Sequence, residues 1–227
     1  MNTGQPDSVW LRPAPERARR GDPLTRERIV AAAVQQLDAH GVEKLTMRRL
    51  AQQLDVTATA LYWHVATKDD VLDLALDHIF GDVPIPHPSD DLRADLRSLL
   101  LGWRAAMLRH PWSPALLGRP LLGPNVLART EFLQSTLARG GLADIALATA
   151  THVLASYVIG AAMTEVSWRR ADGPASWSAA HEHVSRLAGR YPTLSGSGHF
   201  DTDRWPDDDL FRRGVDDILA ALPLARS

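Results

Sequence analysis

Between Thr25 and Leu222 the apolar side chains recur at intervals of three and four, the spacing that lines one face of an α-helix. No stretch shows the strict alternation of a half-buried strand. The fold is therefore expected to be all-α. With 227 residues, 45% of them hydrophobic and 23% charged, the chain is long enough for one large domain or two small ones with a buried core. No internal repeat is present.

Thr25 caps a first helix with Ile29, Ala32, Ala33 and Leu37 on its inner face, and Gly41 after His40 stops it. Thr46 caps a second, Met47 to Leu54, with Leu50, Ala51 and Leu54 inward and Arg48 and Arg49 outward. After a turn at Asp55-Val56, Thr57 caps a third and shorter helix carrying Leu61, Tyr62, Trp63 and His64, of which Leu61 and Trp63 read as core. Two helices too short to stand alone, joined by a tight turn and braced by a longer one, make a helix-turn-helix.

A fourth helix runs from Lys68 to Phe80, and Pro84, Pro86 and Pro88 then force a loop. Ser89 caps a helix to about His110, which Pro111 and Pro114 end; Pro124 opens another, Asn125 to Arg139, stopped by Gly140-Gly141. Asp144 to about Arg170 is apolar nearly all round, which calls for burial by several neighbours. Asp144, Thr149, Thr151, His152 and Ser156 interrupt it and argue for protein neighbours rather than lipid. Trp177 to Ala188 and Pro206 to Leu222 complete the set, the last with a stripe of Leu210, Val215, Ile218, Leu219 and Leu222. Residues 189 to 206 have loop composition, open between a lid and a plain linker. The first 24 residues, broken by Pro6, Pro13, Pro15, Gly21 and Pro23, read as an unfolded arm without a signal peptide.

The formal charge of −2 conceals two opposed parts: residues 1–68 carry 10 basic and 7 acidic side chains, residues 69–227 carry 15 and 20. The basic part, with Arg12, Arg17, Arg19 and Arg20 in the arm, suits an anionic partner such as nucleic acid. The absence of cysteine excludes disulfides, thiol catalysis and Cys-ligated metals, and fits a cytoplasmic protein. His181-Glu182-His183 lacks metal-binding spacing and reads as a solvated face, and no nucleophile motif or phosphate loop occurs, so neither catalytic residue, metal nor cofactor is expected.

The outer face of the third helix offers Ala58, Thr59, Tyr62 and His64: small groups that let a helix sink into the major groove, a methyl for thymine, and hydrogen-bonding groups for bases or phosphate. Arg48 has the reach to bond a guanine edge bidentately, and Thr46 and Lys68 stand at helix N-termini, where free N–H groups suit phosphate. On these residues alone, a three-helix bundle with an ordinary surface stays open.

The run Leu45-Thr46-Met47-Arg48-Arg49-Leu50-Ala51, followed by Ala60-Leu61-Tyr62-Trp63-His64-Val65 and Lys68, resembles the DNA-binding domain of the TetR (tetracycline repressor) family of bacterial transcription regulators over about 25 to 80. The Leu-Tyr-Trp-His-Val form is similar to the branch of the tetracycline repressor itself. Asp55 departs from the Gly usual in the turn, but Asp tolerates the left-handed backbone better than most residues. The resemblance implies that Thr46, Arg48, Thr57, Ala58, Thr59, Tyr62, His64 and Lys68 face double-stranded operator DNA. Ala58 replaces a base-reading Gln, so the operator sequence differs.

The body resembles the tetracycline-repressor type more loosely, over about 89 to 222, on Trp103-Arg104, Gly118-Arg119-Pro120 and Gly160. That resemblance implies a division into an arm (1–24), a helix-turn-helix domain (25–68), a connecting helix and loop (69–88) and an effector-binding and dimerisation domain (89–227). It also implies a homodimer joined by the long and the last helix. Pro84, Leu99, Leu116 and Ser156 replace polar drug or metal ligands, and Thr164 replaces a metal-binding Glu unless neighbouring Glu165 serves, so a magnesium–tetracycline complex is not the expected effector. Leu99, Trp103, Met107, Leu116, Phe132 and Ser156, with Arg119 at a drug-contacting position, would line an apolar pocket for a flat or greasy small molecule; residue by residue plain core is the better reading of them. The function so implied is a ligand-released repressor of an efflux or biosynthesis gene. An activator or effector-independent regulator, and more remotely an all-α carrier or enzyme, are the alternatives.

Overall fold

The computed structural model describes residues 9–11, 24–117, 121–170 and 173–225. Among them the regular structure is helical throughout: α1 Arg26–His40, α2 Met47–Gln53, α3 Ala58–Tyr62, α4 Lys68–Gly81, α5 Leu92–Arg109, α6 Pro124–Arg139, α7 Asp144–Arg170, α8 Gly173–Arg186, α9 Pro192–Ser197 and α10 Asp207–Ala221, with 3₁₀ turns at Val9–Leu11, Val42–Lys44 and Pro114–Leu116. They assemble into two compact units, Met1–Ile85 with Ala105–Leu133 and Pro86–Arg104 with Gln134–Ser227. Most of the expected N-terminal arm lies outside the described residues. The exceptions are Val9–Leu11, whose Trp10 lies against Asp73 and Leu76 of α4, and Leu24, which is buried.

In the first unit four threonines start four helices. Thr25, Thr46, Thr57 and Thr67 each accept, through the side-chain oxygen, an amide hydrogen three residues on, satisfying a donor the helix itself leaves unpaired. Thr67 makes a full capping box with Asp70, whose carboxylate bonds the Ala66 and Thr67 amides at 2.9 and 3.1 Å. α1 packs on α2 and α4, and α2 on α3, around Ile29, Ala33, Leu37, Leu50, Leu61 and Ala75, all essentially inaccessible. Gln53 ties α2 to α1 by accepting from Gln36 at 2.7 Å and donating to Gln35 at 2.9 Å. In the last turn of α1, Asp38 accepts from Trp112 Nε1 at 2.7 Å and faces His110 Nδ1 at 2.8 Å.

α4 and α6 cap each other. The buried Asp77 carboxylate takes the Asn125 and Val126 amides at the start of α6 at 2.9 and 3.0 Å, and the Asn125 side-chain amide at 2.9 Å. In return Arg129 donates to the Gly81 and Val83 carbonyls at the end of α4, through Nη2 to Gly81 at 2.7 Å and Nε to Val83 at 2.8 Å. Burial pushes this guanidinium below its ordinary value while the charges of Asp77 and Asp82 oppose the shift. A Cβ on Gly123 would stand 2.1 Å from Asp77 Oδ1, so the carboxylate reaches the helix end only past a glycine.

In the second unit Arg93 performs the corresponding task for α10, donating to the Leu219 and Leu222 carbonyls at 3.1 and 3.2 Å. α10 turns Val215 and Leu219 of the expected stripe inward, with Ile218 and Leu222 half-buried, but at its start Phe211 is buried in place of Leu210, which is half exposed. Gly214 admits Tyr157 from α7: a Cβ there would lie 1.9 Å from the phenol oxygen.

Three expectations change. Asp91, not Ser89, caps α5, accepting from the Ala94 amide at 2.9 Å, because a carboxylate one residue before the helix outcompetes a hydroxyl further back; Ser89 instead bonds Asp95. Residues 189–206 are not plain loop, since Pro192 opens the short helix α9 and Gly198 closes it at φ 67°. α7 is not surrounded within the chain: its buried positions form one stripe, Ala150, Leu154, Val158, Ala162, Glu165 and Val166, while Ile145 and Met163 are 80% and 46% exposed.

Replacing Asp77 by Ala strips two α6 amides and the Arg129 environment of their carboxylate. Chemical denaturation of Asp77→Ala is expected to register a loss of about 1–3 kcal/mol.

Candidate nucleic-acid interface and effector cavity

The turn between α2 and α3 depends on one backbone conformation. Asp55 sits at φ 55°, where side chains other than Gly, Asn and Asp are strained, and the Val56 amide closes the turn on the Ala51 carbonyl at 3.0 Å. This places the N-termini of α2 and α3 under Thr46 and Thr57. Both hydroxyl oxygens accept backbone hydrogens, from Arg49 and Ala60 at 3.2 Å, which leaves each O–H proton to donate outward.

Seven of the eight residues assigned to DNA lie in a short stretch of this surface or beside it. Thr46, Arg48, Thr57, Ala58, Thr59 and Tyr62 are exposed, and His64 is half-buried with its carbonyl accepting from Arg26 at 3.4 Å. Arg48 makes no hydrogen bond or ion pair among the described residues. The eighth, Lys68, is half-buried and donates to the Val42 carbonyl at 2.9 Å; it pins the 3₁₀ turn ahead of α2, and two of its three ammonium hydrogens remain. Trp63 is a correction. It was expected in the core, but it follows the buried Leu61 by two residues, about 200° round a helix, and so stands outward, 76% exposed beside Tyr62 at 52%.

The second unit holds a cavity of about 420 Å³ lined by Arg104, by α7 from Ser156 to Trp168, by Trp177 of α8, by His199 to Trp205 and by the start of α10. Its floor is a buried charge network. Arg104, only 6% exposed, bonds Glu165 Oε2 through Nε and Nη2 at 3.2 and 2.6 Å and Asp208 Oδ1 through Nη1 at 2.5 Å. Its guanidinium lies 4.6 Å from the centre of the Phe211 ring, on which Tyr157 is stacked at 5.4 Å. The Arg104 hydrogen bond holds the Asp208 carboxyl below the usual carboxylate range, whereas burial pushes the Tyr157 phenol up. Glu165 spends its other oxygen on Arg169 at 2.5 Å, so both of its oxygens face guanidinium groups; neighbouring Thr164 bonds the Gly160 carbonyl.

Of the residues assigned to ligand, Ser156 lines this cavity. Leu99 and Trp103 are buried in the second unit, and Met107 and Phe132 are buried and Leu116 half-buried in the first; Arg119 lies outside the described residues. The Trp103 Nε1 hydrogen is buried without an acceptor among the described residues. Sequence reading missed Trp168, Trp177 and Trp205. It had quoted Arg104 without giving it a role, because its partners lie 61 and 104 residues away and leave no local trace.

Arg104→Ala leaves the buried Glu165 Oε2 unpaired, with Arg169 still on the other oxygen, at an expected cost of about 1–3 kcal/mol in equilibrium unfolding, and Lys restores little because it cannot span both carboxylates. The Asp208 contribution is present above the unfolded carboxylate pKa and lost as pH falls, so wild type and Asp208→Asn are expected to converge in stability on acidification.

Comparison with known proteins bears on both surfaces. Residues 29–75 match the family profile described as bacterial regulatory proteins, tetR family, and residues 84–223 match that of the tetracyclin repressor-like C-terminal domain. An HTH-type transcriptional regulator of Saccharopolyspora erythraea is 43% identical over 96% of this chain and 92% of its own. The HTH-type transcriptional repressor DrrR1 of Streptomyces coeruleorubidus is 34% identical over 88% and 77%. Among solved structures, the Streptomyces coelicolor TetR family protein ActR in complex with actinorhodin superposes with a TM-score of 0.79 at 30% identity, covering 88% of this chain and 97% of that one.

Proposed function

The chain belongs to the TetR family of bacterial transcription regulators, and from that premise we propose that it is a cytoplasmic repressor that grips a palindromic operator as a homodimer and lets go when a small aromatic or apolar molecule enters its second unit. The observation that carries the DNA-binding part is the exposed Arg48, without a partner among the described residues and flanked by two threonine-capped helix N-termini. A cation free to fork onto a base edge stands beside paired donors suited to phosphate.

The dimer reading rests on α7. A helix with Ile145, Val153 and Met163 at 40% exposure or more wants an apolar partner, and a second copy related by a two-fold axis supplies the same face. Two copies then offer two reading heads for half-sites about one DNA turn, ~34 Å, apart. Regulation requires that the effector favour a form of the dimer unfit for DNA, since equal affinity for both forms would shift nothing. The relatives support the repressor and effector parts: one is named a repressor, and ActR was crystallised with actinorhodin. Control of an adjacent efflux or biosynthesis gene is the corresponding reading of its role.

Footprinting and titration on the palindrome nearest the gene test this. Arg48→Ala is expected to weaken specific binding by about 1–3 kcal/mol and to relax discrimination at one base pair per half-site. Sedimentation of the complex should count two chains per palindrome. An unchanged footprint and affinity in the variant, or one chain per site, would overturn the assignment.

A further inference from the structure

The walls of the 420 Å³ cavity are aromatic and its rim is acidic. Trp168 and Trp177 meet edge to face at 4.2 Å, and Trp177 lies 5.5 Å from Phe200. Trp205 is held in place by donating Nε1–H to the Ser197 carbonyl at 2.8 Å, with the Arg204 guanidinium 4.9 Å from its ring centre. Trp168 and Trp205 are nevertheless each 40% exposed, so indole surface is held open around a concave site rather than packed away. Phe211 and Tyr157 are already engaged with each other and with Arg104, which leaves the tryptophans as the available π surface.

The charge around the cavity is lopsided. Residues 201–209 read Asp-Thr-Asp-Arg-Trp-Pro-Asp-Asp-Asp, five carboxylates against one guanidinium. Asp208 is consumed by Arg104 and Arg212, and Glu165 by Arg104 and Arg169. Asp201 and Asp207, both on the cavity wall, make no ion pair among the described residues; Asp201 spends one oxygen on the Arg204 amide at 3.0 Å. Arg104, the one guanidinium of the lining, already has both its carboxylate partners and is not available to an anion, while His199 of the lining is engaged edge to face with Phe200.

Indole faces attract cations through the ring quadrupole, and uncompensated carboxylates do so through charge. Together they select against anions and in favour of a flat organic cation. We infer that this cavity binds a planar aromatic molecule carrying a positive charge, such as a protonated amine, stacked against Trp168, Trp177 and Trp205 with its charge toward Asp201 and Asp207. The inference builds on the effector reading above and adds to it the location and the charge of the ligand. The size suits a ligand of three or four fused rings, since drug-sized molecules occupy pockets of about 300–1,000 Å³.

Ethidium, a planar monocation, and 1-anilinonaphthalene-8-sulfonate, an aromatic anion, serve as probes on the full-length protein without DNA, read by tryptophan quenching and probe fluorescence. Ethidium is expected to bind at least 10-fold more tightly than the sulfonate. Asp201→Asn/Asp207→Asn should weaken ethidium by 10-fold or more while barely changing the sulfonate, with an unaltered melting temperature showing that the fold is intact. A variant that melts earlier is replaced by the single Asp207→Asn, for which a loss of at least 3-fold is expected. Equal affinity for the two probes, no ethidium binding because a second copy covers the cavity, or carboxamide variants indistinguishable from wild type would each overturn the inference. Operator titration of the same unliganded wild type reads out the regulator assignment separately: no operator binding sinks that reading, whereas ethidium binding without operator release leaves the cavity assignment standing and removes its regulatory role.

Discussion

A helix of five residues does not persist alone in water, yet α3 and its cap Thr57 carry four of the eight side chains proposed to face DNA. It persists because Thr57 supplies the acceptor its first turn lacks, because Asp55 accepts a left-handed backbone that closes the preceding turn, and because Leu61 is fully buried beneath it. The same device recurs at Thr25, Thr46 and Thr67, so each of the helices α1 to α4 starts on a threonine hydroxyl. On the proposed DNA-binding reading the oxygens of Thr46 and Thr57 have two tasks at once. Accepting an amide hydrogen fixes the helix and turns the hydroxyl proton outward, where a phosphate oxygen would sit.

Elsewhere the structure relies on charges buried where they can be fully paired. Asp77 and Arg129 satisfy the facing ends of α6 and α4, so each helix is capped by a side chain of the other. Such mutual capping resists sliding between the two helices, because any displacement unpairs both ends together. In the second unit Arg104 is fixed by two carboxylates and an aromatic face, which turns the base of the cavity into a rigid platform instead of a binding group. What remains chemically open there is indole surface and carboxylate.

Local signals were legible and distant ones were not. Thr25, Thr46 and Thr57 could be read as caps because the cap lies next to the helix it starts, and Asp55 could be read as the turn residue because few side chains tolerate φ 55°. The outward face of α2 and α3 followed from periodicity. Trp63 follows the same rule: two residues past the buried Leu61 it lies on the outer side of the turn, and only its apolar character suggested core. The apolar character of α7 was evident, but a sequence does not distinguish burial by its own chain from exposure awaiting another copy. The Arg104 network and the three-tryptophan wall join residues far apart in the chain, and no spacing rule announces them.

The central claim is that this surface meets DNA phosphate. The most direct measurement is operator affinity as a function of salt concentration. Each phosphate neutralised by the protein contributes a slope of roughly −0.9 to log K against log salt. The account predicts a steep linear fall equivalent to several phosphates per dimer; an affinity independent of salt would contradict it.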